Sequence, residues 1–217
     1  MGRRREHDDK TAAALLDAAE RAIAEGGVDA LSLREVAGDA GTTTRAIYTL
    51  FGSKDGLLGA LGVRAFNLLQ REGNALPASD QPADDLVEAA LVFRRFALEH
   101  PALFSVAFHR ADPAISPRFR AARLDALAAL ETRFEPLADA NLLRGRSIPE
   151  AAMQFALLCE GLAWGYELRG NPNPPDAERF WRNAVHALIT GFATPTPDLP
   201  RRTSRRHRRP TATSRDN

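Results

Sequence analysis

Apolar residues recur along this chain at three- and four-residue spacing, and nowhere in the alternation that marks a half-buried strand. From Asp9 to Glu25 the positions Ala13, Leu16, Ala19 and Ala22, with Leu15 and Ile23, define one face of a helix, which Gly26-Gly27 ends. Ser32, with Glu35 three residues on, predicts a capped helix from Leu33 to Asp39. Gly41 supplies a sharp turn, and Thr42 or Thr43 then caps a second short helix. Ser53 caps a longer helix from Lys54 to about Glu72, with Leu57, Leu58, Leu61, Phe66 and Leu69 as its spine. Gly73 to Gln81 reads as a loop. Further helices are predicted at Pro82–Glu99, Pro101–His109, Pro117–Phe134, Ile148–Leu168 and Asp176–Phe192, with a break forced at His100-Pro101 and a loop at Arg110–Ser116. The expected architecture is all-α, about nine helices.

The two short helices carry the most specific chemistry. With Ala37, Ala40, Ile47 and Leu50 facing inward, the second presents Thr44, Arg45, Tyr48 and Thr49 outward. A helix lying in a DNA major groove needs such side chains: Arg suits guanine, and Thr suits base edges, thymine methyls or phosphate.

The run Ala40-Gly41-Thr42-Thr43-Thr44-Arg45-Ala46-Ile47-Tyr48, followed by Phe51, Ser53-Lys54 and Leu57-Leu58 and preceded by Leu31-Ser32-Leu33-Arg34, resembles the TetR family of bacterial transcriptional regulators. The resemblance covers roughly the first sixty residues. It implies a three-helix DNA-binding domain with a helix-turn-helix over residues 1–53, and a larger helical ligand-binding and dimerisation domain over 54–194. On the same footing Ser32, Thr42, Thr43, Thr44, Arg45, Tyr48, Thr49 and Lys54 are the expected DNA contacts. Lys10 points toward the DNA side, and Lys54 donates to a phosphate at a helix N-terminus, itself a favourable anion site. One departure is Thr49-Leu50, where family members carry a polar or basic pair. Farther along, His100-Pro101-Ala102-Leu103-Phe104 and Ala156–Ala163 resemble a subgroup with a Trp-His-Gly signature in its penultimate helix. Gly161 is kept, whereas Cys159 and Glu160 depart from it.

Charge changes this picture by its distribution. Residues 1–60 hold 8 Lys and Arg against 10 Asp and Glu, residues 61–194 hold 14 against 16, and residues 195–217 hold 7 against 2. The net +1 therefore belongs to the tail, and a DNA-reading face must rest on local placement. Arg3, Arg4 and Arg5 read either as an arm that follows DNA or as a solvated terminus. The tail, rich in Pro, Thr, Ser and Arg, is expected to be disordered, adding attraction to DNA by counterion release or remaining quiet.

The lone Cys159 excludes a disulfide framework within one chain, and no Cys-His cluster has zinc spacing. No metal or cofactor is expected. Nor does any apolar run reach membrane-spanning length, and the N-terminus lacks an apolar stretch behind its basic residues, so the expected location is the cytoplasm.

Aromatic residues concentrate in the larger domain. Phe93, Phe96, Phe104, Phe108, Phe155, Cys159 and Trp164 are candidates for an apolar ligand pocket, with plain core as the alternative reading. Glu160, inside the apolar run Phe155–Trp164, needs a partner, and Arg94, Arg95 and His109 are the candidates. The small residues of the penultimate helix and the amphipathic bulk beside them suggest an association surface of Ala152, Ala156, Glu160, Ala163, Tyr166, Trp181 and His186. The expected partners are double-stranded DNA, a second copy of the chain and an unidentified small-molecule effector, with no membrane.

The function that follows is a dimeric repressor, released from a pseudo-palindromic operator by a small molecule. The alternatives are a helical ligand-binding or adaptor protein with impaired DNA binding, or a helical-bundle enzyme. Against the enzyme, the chain has no Glu-x-x-His pair for a di-metal centre and no Gly-rich phosphate loop after a strand.

Overall fold

The computed structural model describes residues 2–109, 116–168 and 176–193, and the side chains of residues 7–108, 116–165 and 176–193. The basic tail, all of the Arg110–Ser116 loop except Ser116, and the side chains of Arg3, Arg4, Arg5, His109 and Tyr166 lie outside the described residues. Ten α-helices are present among them: α1 (Gly2–Gly26), α2 (Leu33–Asp39), α3 (Thr44–Phe51), α4 (Lys54–Asn74), α5 (Pro82–Glu99), α6 (Pro101–Phe104), α7 (Pro117–Thr132), α8 (Glu135–Asp139), α9 (Ile148–Leu162) and α10 (Ala177–Phe192). Both α6 and α9 continue into a π-helical turn, over Ser105–His109 and Ala163–Leu168.

Three differences from the sequence reading have local causes. The first helix starts at Gly2, so Arg3, Arg4 and Arg5 belong to its opening turns and not to a disordered arm. Nothing between Arg3 and Glu25 breaks a helix, and each added residue costs one fixed residue for one new bond. Thr43 occupies the cap position of α3 but makes no side-chain cap bond. Finally, α7 stops at Thr132 and the short α8 follows, opened by Pro136 near its start. The chain then turns through left-handed Asn141, Arg144 and Gly145 before Ser147 caps α9.

Helices α1, α2 and α3 enclose Leu15, Ala18, Ala19, Val36, Ala37 and Ile47, all buried. The same apolar core runs on through Leu57, Leu58, Leu61 and Phe66 of α4 to Phe192. Helix α4 thus belongs to both layers. It meets α7 at unusually close range at Gly62, where an added Cβ would lie 2.1 Å from a ring carbon of Phe119. Only glycine leaves room for that ring, which also stands edge-on to Phe66 at 5.4 Å.

Candidate DNA-reading face and ligand cavity

The turn between α2 and α3 is made by Gly41 at φ +65°, a left-handed conformation that costs glycine little. Thr42 N–H closes the turn by donating to the Ala37 carbonyl at 2.9 Å. The helix before it is capped by Ser32, whose hydroxyl oxygen accepts from the Glu35 N–H at 3.4 Å. Ile47 is fully buried, and Ala46 and Leu50 pack against the core. That anchoring leaves Thr43, Arg45, Tyr48 and Thr49 exposed, with Thr42 and Thr44 half-buried. Tyr48 is 56% exposed, far more than a ring needed for packing would be.

Two of these side chains have prior commitments. Thr49 donates its hydroxyl to the Arg45 carbonyl one turn back at 2.9 Å, so toward DNA it can only accept. Lys54 donates to the Leu31 carbonyl at 2.8 Å, tying the start of α4 to the segment ahead of α2. An ammonium carries three donors, so this clamp leaves others for a phosphate. Lys10 is exposed on α1.

A cavity of about 150 Å³ lies between α4, α5, α7 and α9. Of the expected pocket residues, Phe93, Phe108, Phe155 and Cys159 line it. Phe96, Phe104 and Trp164 do not. Phe96 and Phe104 are fully buried behind the wall, where Phe104 stacks on Phe108 at 5.0 Å and meets Phe93 edge-on at 5.8 Å. Trp164 sits half-buried in the π turn beyond α9. Phe66 of α4, Arg123 and Arg133 also line it, and none of the three stood among the expected pocket residues. Their spacing within each helix carries no sign of the cavity, which exists only once four helices meet.

The charge that acts on Glu160 comes from neither Arg94 nor Arg95. Burial pushes its carboxyl above the usual carboxylate range, and the Arg123 guanidinium of α7 opposes that shift. Burial likewise drives the Cys159 thiol far up, which makes it an inert packing group. Arg133 donates to the carbonyls of Gly73 and Leu76, bracing the end of α4 against α7.

A second, larger cleft of about 960 Å³ opens where α1, α3 and α4 meet α6 and α7. Three of its charged groups are already engaged: Arg64 pairs with Glu20 at 3.5 Å and with neighbouring Asp17 at 2.5 Å, while His100 lies 3.4 Å from Glu20. The smaller, aromatic-walled cavity is the better ligand site for that reason. The Arg64 cluster joins residues 47 and 80 positions apart, a proximity that no local pattern announces.

The proposed association residues divide. Ala152, Ala163 and Trp181 are 0%, 0% and 1% exposed in the single chain, so a partner has nothing left of them to cover. Their small or flat side chains pack the closing helices onto the chain's own core instead. Ala156 and Glu160 line the cavity, and His186 is exposed on α10, 3.8 Å from Asp84. The outward face of α9 is Met153, Gln154, Leu157 and Gly161.

A compact three-helix unit with a glycine turn and an exposed Thr, Arg and Tyr face defines the helix-turn-helix class of DNA-binding proteins. Residues 15–61 match the family described as bacterial regulatory proteins, tetR family. Over this stretch, which spans the helix-turn-helix and the start of α4, the chain is similar to that family of transcriptional regulators. No curated protein matches it, but solved structures do. The TetR family transcriptional regulator PfmR from Thermus thermophilus is 22% identical at a TM-score of 0.63, covering 82% of this chain and 97% of that one. FadR from Bacillus subtilis, in complex with stearoyl-CoA, is 15% identical at 0.68, covering 82% and 97%. AibR, in complex with isovaleryl coenzyme A and operator DNA, is 16% identical at 0.64, covering 83% and 98%.

Proposed function

We propose that the protein is a dimeric, cytoplasmic repressor that reads a pseudo-palindromic operator and leaves it when a small molecule fills the cavity. Residues 1–53 form its DNA-reading unit and residues 54–194 its regulatory and dimerisation unit. The observation that carries this reading is the double membership of α4. Its N-terminal half is locked to the DNA-reading unit by Lys54, Leu57 and Leu58, and its C-terminal half supplies Phe66, Leu69 and Gln70 to the cavity wall. A ligand pressing on Phe66 displaces a helix whose other end carries α2 and α3. Packed interfaces move between discrete arrangements, so the displacement is transmitted and not absorbed.

Such release requires unequal ligand affinity for the two arrangements, and a swing from 1:99 to 99:1 takes about 5.5 kcal/mol. The ligands named for FadR and AibR make an acyl thioester a reasonable first class to try. Two-fold symmetry would set two copies of α3 into successive major grooves, about 34 to 36 Å apart. The cytoplasmic placement is consistent with there being no helix, among the described residues, long and apolar enough to cross a membrane.

Fluorescence anisotropy with a duplex taken from the DNA upstream of the coding sequence tests the reading. We expect a salt-sensitive preference for that duplex over a scrambled one. Equal affinity for both at every salt concentration contradicts it.

A further inference from the structure

The cavity's size and the charge at its rim narrow the ligand, and this step rests on the ligand-responsive reading above. We propose that the cavity between α4, α5, α7 and α9 takes a short acyl group of about five to seven carbons, its anionic end held at Arg123.

Volume supplies the first half of the argument. A cavity of about 150 Å³ lined by apolar side chains accommodates benzene, and this one has that volume. A stearoyl chain carries roughly three times as much carbon, so with its anionic end at Arg123 it cannot be enclosed here without moving the walls. Those walls are braced from behind. Phe66 is held edge-on by Phe108 and Phe119, Phe93 by Phe104 and Phe108, and Phe155 by Phe134 at 5.8 Å. Phe104 and Phe134 are fully buried, so a ligand can push these rings and α4 as one packed body but cannot part them to admit a long chain.

Charge supplies the second half. The charged side chains on the lining are Arg123, Arg133 and Glu160. Arg133 is engaged with the Gly73 and Leu76 carbonyls, yet its positive charge remains. Two guanidiniums against one carboxyl leave this end of the cavity net positive even with Glu160 ionised. An incoming carboxylate or phosphate gains a charge-assisted bond to the exposed Arg123 guanidinium, where an amine would meet two cations. A free short-chain acid and its coenzyme A thioester share this chemistry: an apolar group inside, negative charge at the rim.

The test is calorimetric titration of the purified full chain, without DNA, with isovalerate, benzoate, octanoate and palmitate, and with isovaleryl- and stearoyl-coenzyme A. The expected result is tightest binding at five to seven carbons, with at least a tenfold loss for palmitate and stearoyl-coenzyme A. Tighter binding of the acid or of the thioester tells which source supplies the group, and either outcome supports the proposal. Arg123→Gln should weaken the best ligand about tenfold, with partial recovery in Arg123→Lys. Ala126→Leu, which fills the half-buried wall, should abolish binding while the melting profile shows a folded chain. Preference for the long chains, full affinity in Arg123→Gln, or no binding by any probe overturns the proposal. Operator preference is measured without ligand, so that failure leaves the DNA-reading assignment to stand or fall separately.

Discussion

The DNA-reading unit and the regulatory layer are built from the same kind of amphipathic helix, yet they achieve their sites in opposite ways. In the first, caps, turn and outward side chains lie within a few residues of one another: Ser32 with Glu35, Ala37 with Thr42, Arg45 with Thr49. In the second, the site is made by meetings across the chain, as when Arg133 reaches back to the end of α4, 60 positions earlier. A locally built site is fixed by its own segment. A site built at a distance depends on every helix that walls it, so a shift in any one of them alters it.

The largest expected effect is on stability. Trp181→Ala removes a buried ring and should cost about 3 to 5 kcal/mol. Because the ring packs inside one protomer, the loss in melting experiments should not depend on protein concentration. A loss that disappears at high concentration would instead place the ring between subunits.

Next comes the DNA face. Arg45→Ala should cost about 1 to 3 kcal/mol at one base pair, flattening sequence preference there while leaving the melting temperature unchanged. Lys54→Ala joins the two behaviours. It should weaken all DNA sequences alike and lower the salt slope by about one, and it should also destabilise the chain, because the Leu31 carbonyl loses its donor. A Lys54 variant with normal DNA affinity but lowered stability would make the residue a clamp only. Arg64→Ala ranks last, at under about 1 kcal/mol of stability, since its pairs with Asp17 and Glu20 are half-exposed.

The same contrast governs what the sequence discloses. The bounds of α2 and α5, the α2–α3 turn and the inward set Ala37 and Ile47 follow from caps and periodicity alone, because those signals are local. Periodicity also marks Ala152, Ala163 and Trp181 as belonging to a packed face, but it does not say whether the chain's own core or a second copy covers that face. Here the core does. It similarly groups Phe93, Phe96 and Phe104 as apolar, although only Phe93 of the three reaches the cavity. The partner of Glu160 lies on α7, out of reach of any pattern within α9.

The central claim is that filling the cavity moves the DNA-reading unit through α4. It is tested most directly by the distance between two spin labels, one per protomer, in the operator complex. Cys159 is the only cysteine and is buried, so Asp39→Cys at the exposed end of α2 takes the label selectively. We predict one narrow distance on operator DNA, fixed by recognition helices about 34 to 36 Å apart, that shifts when isovalerate or its thioester saturates the cavity. An unchanged distance in the saturated protein contradicts the claim.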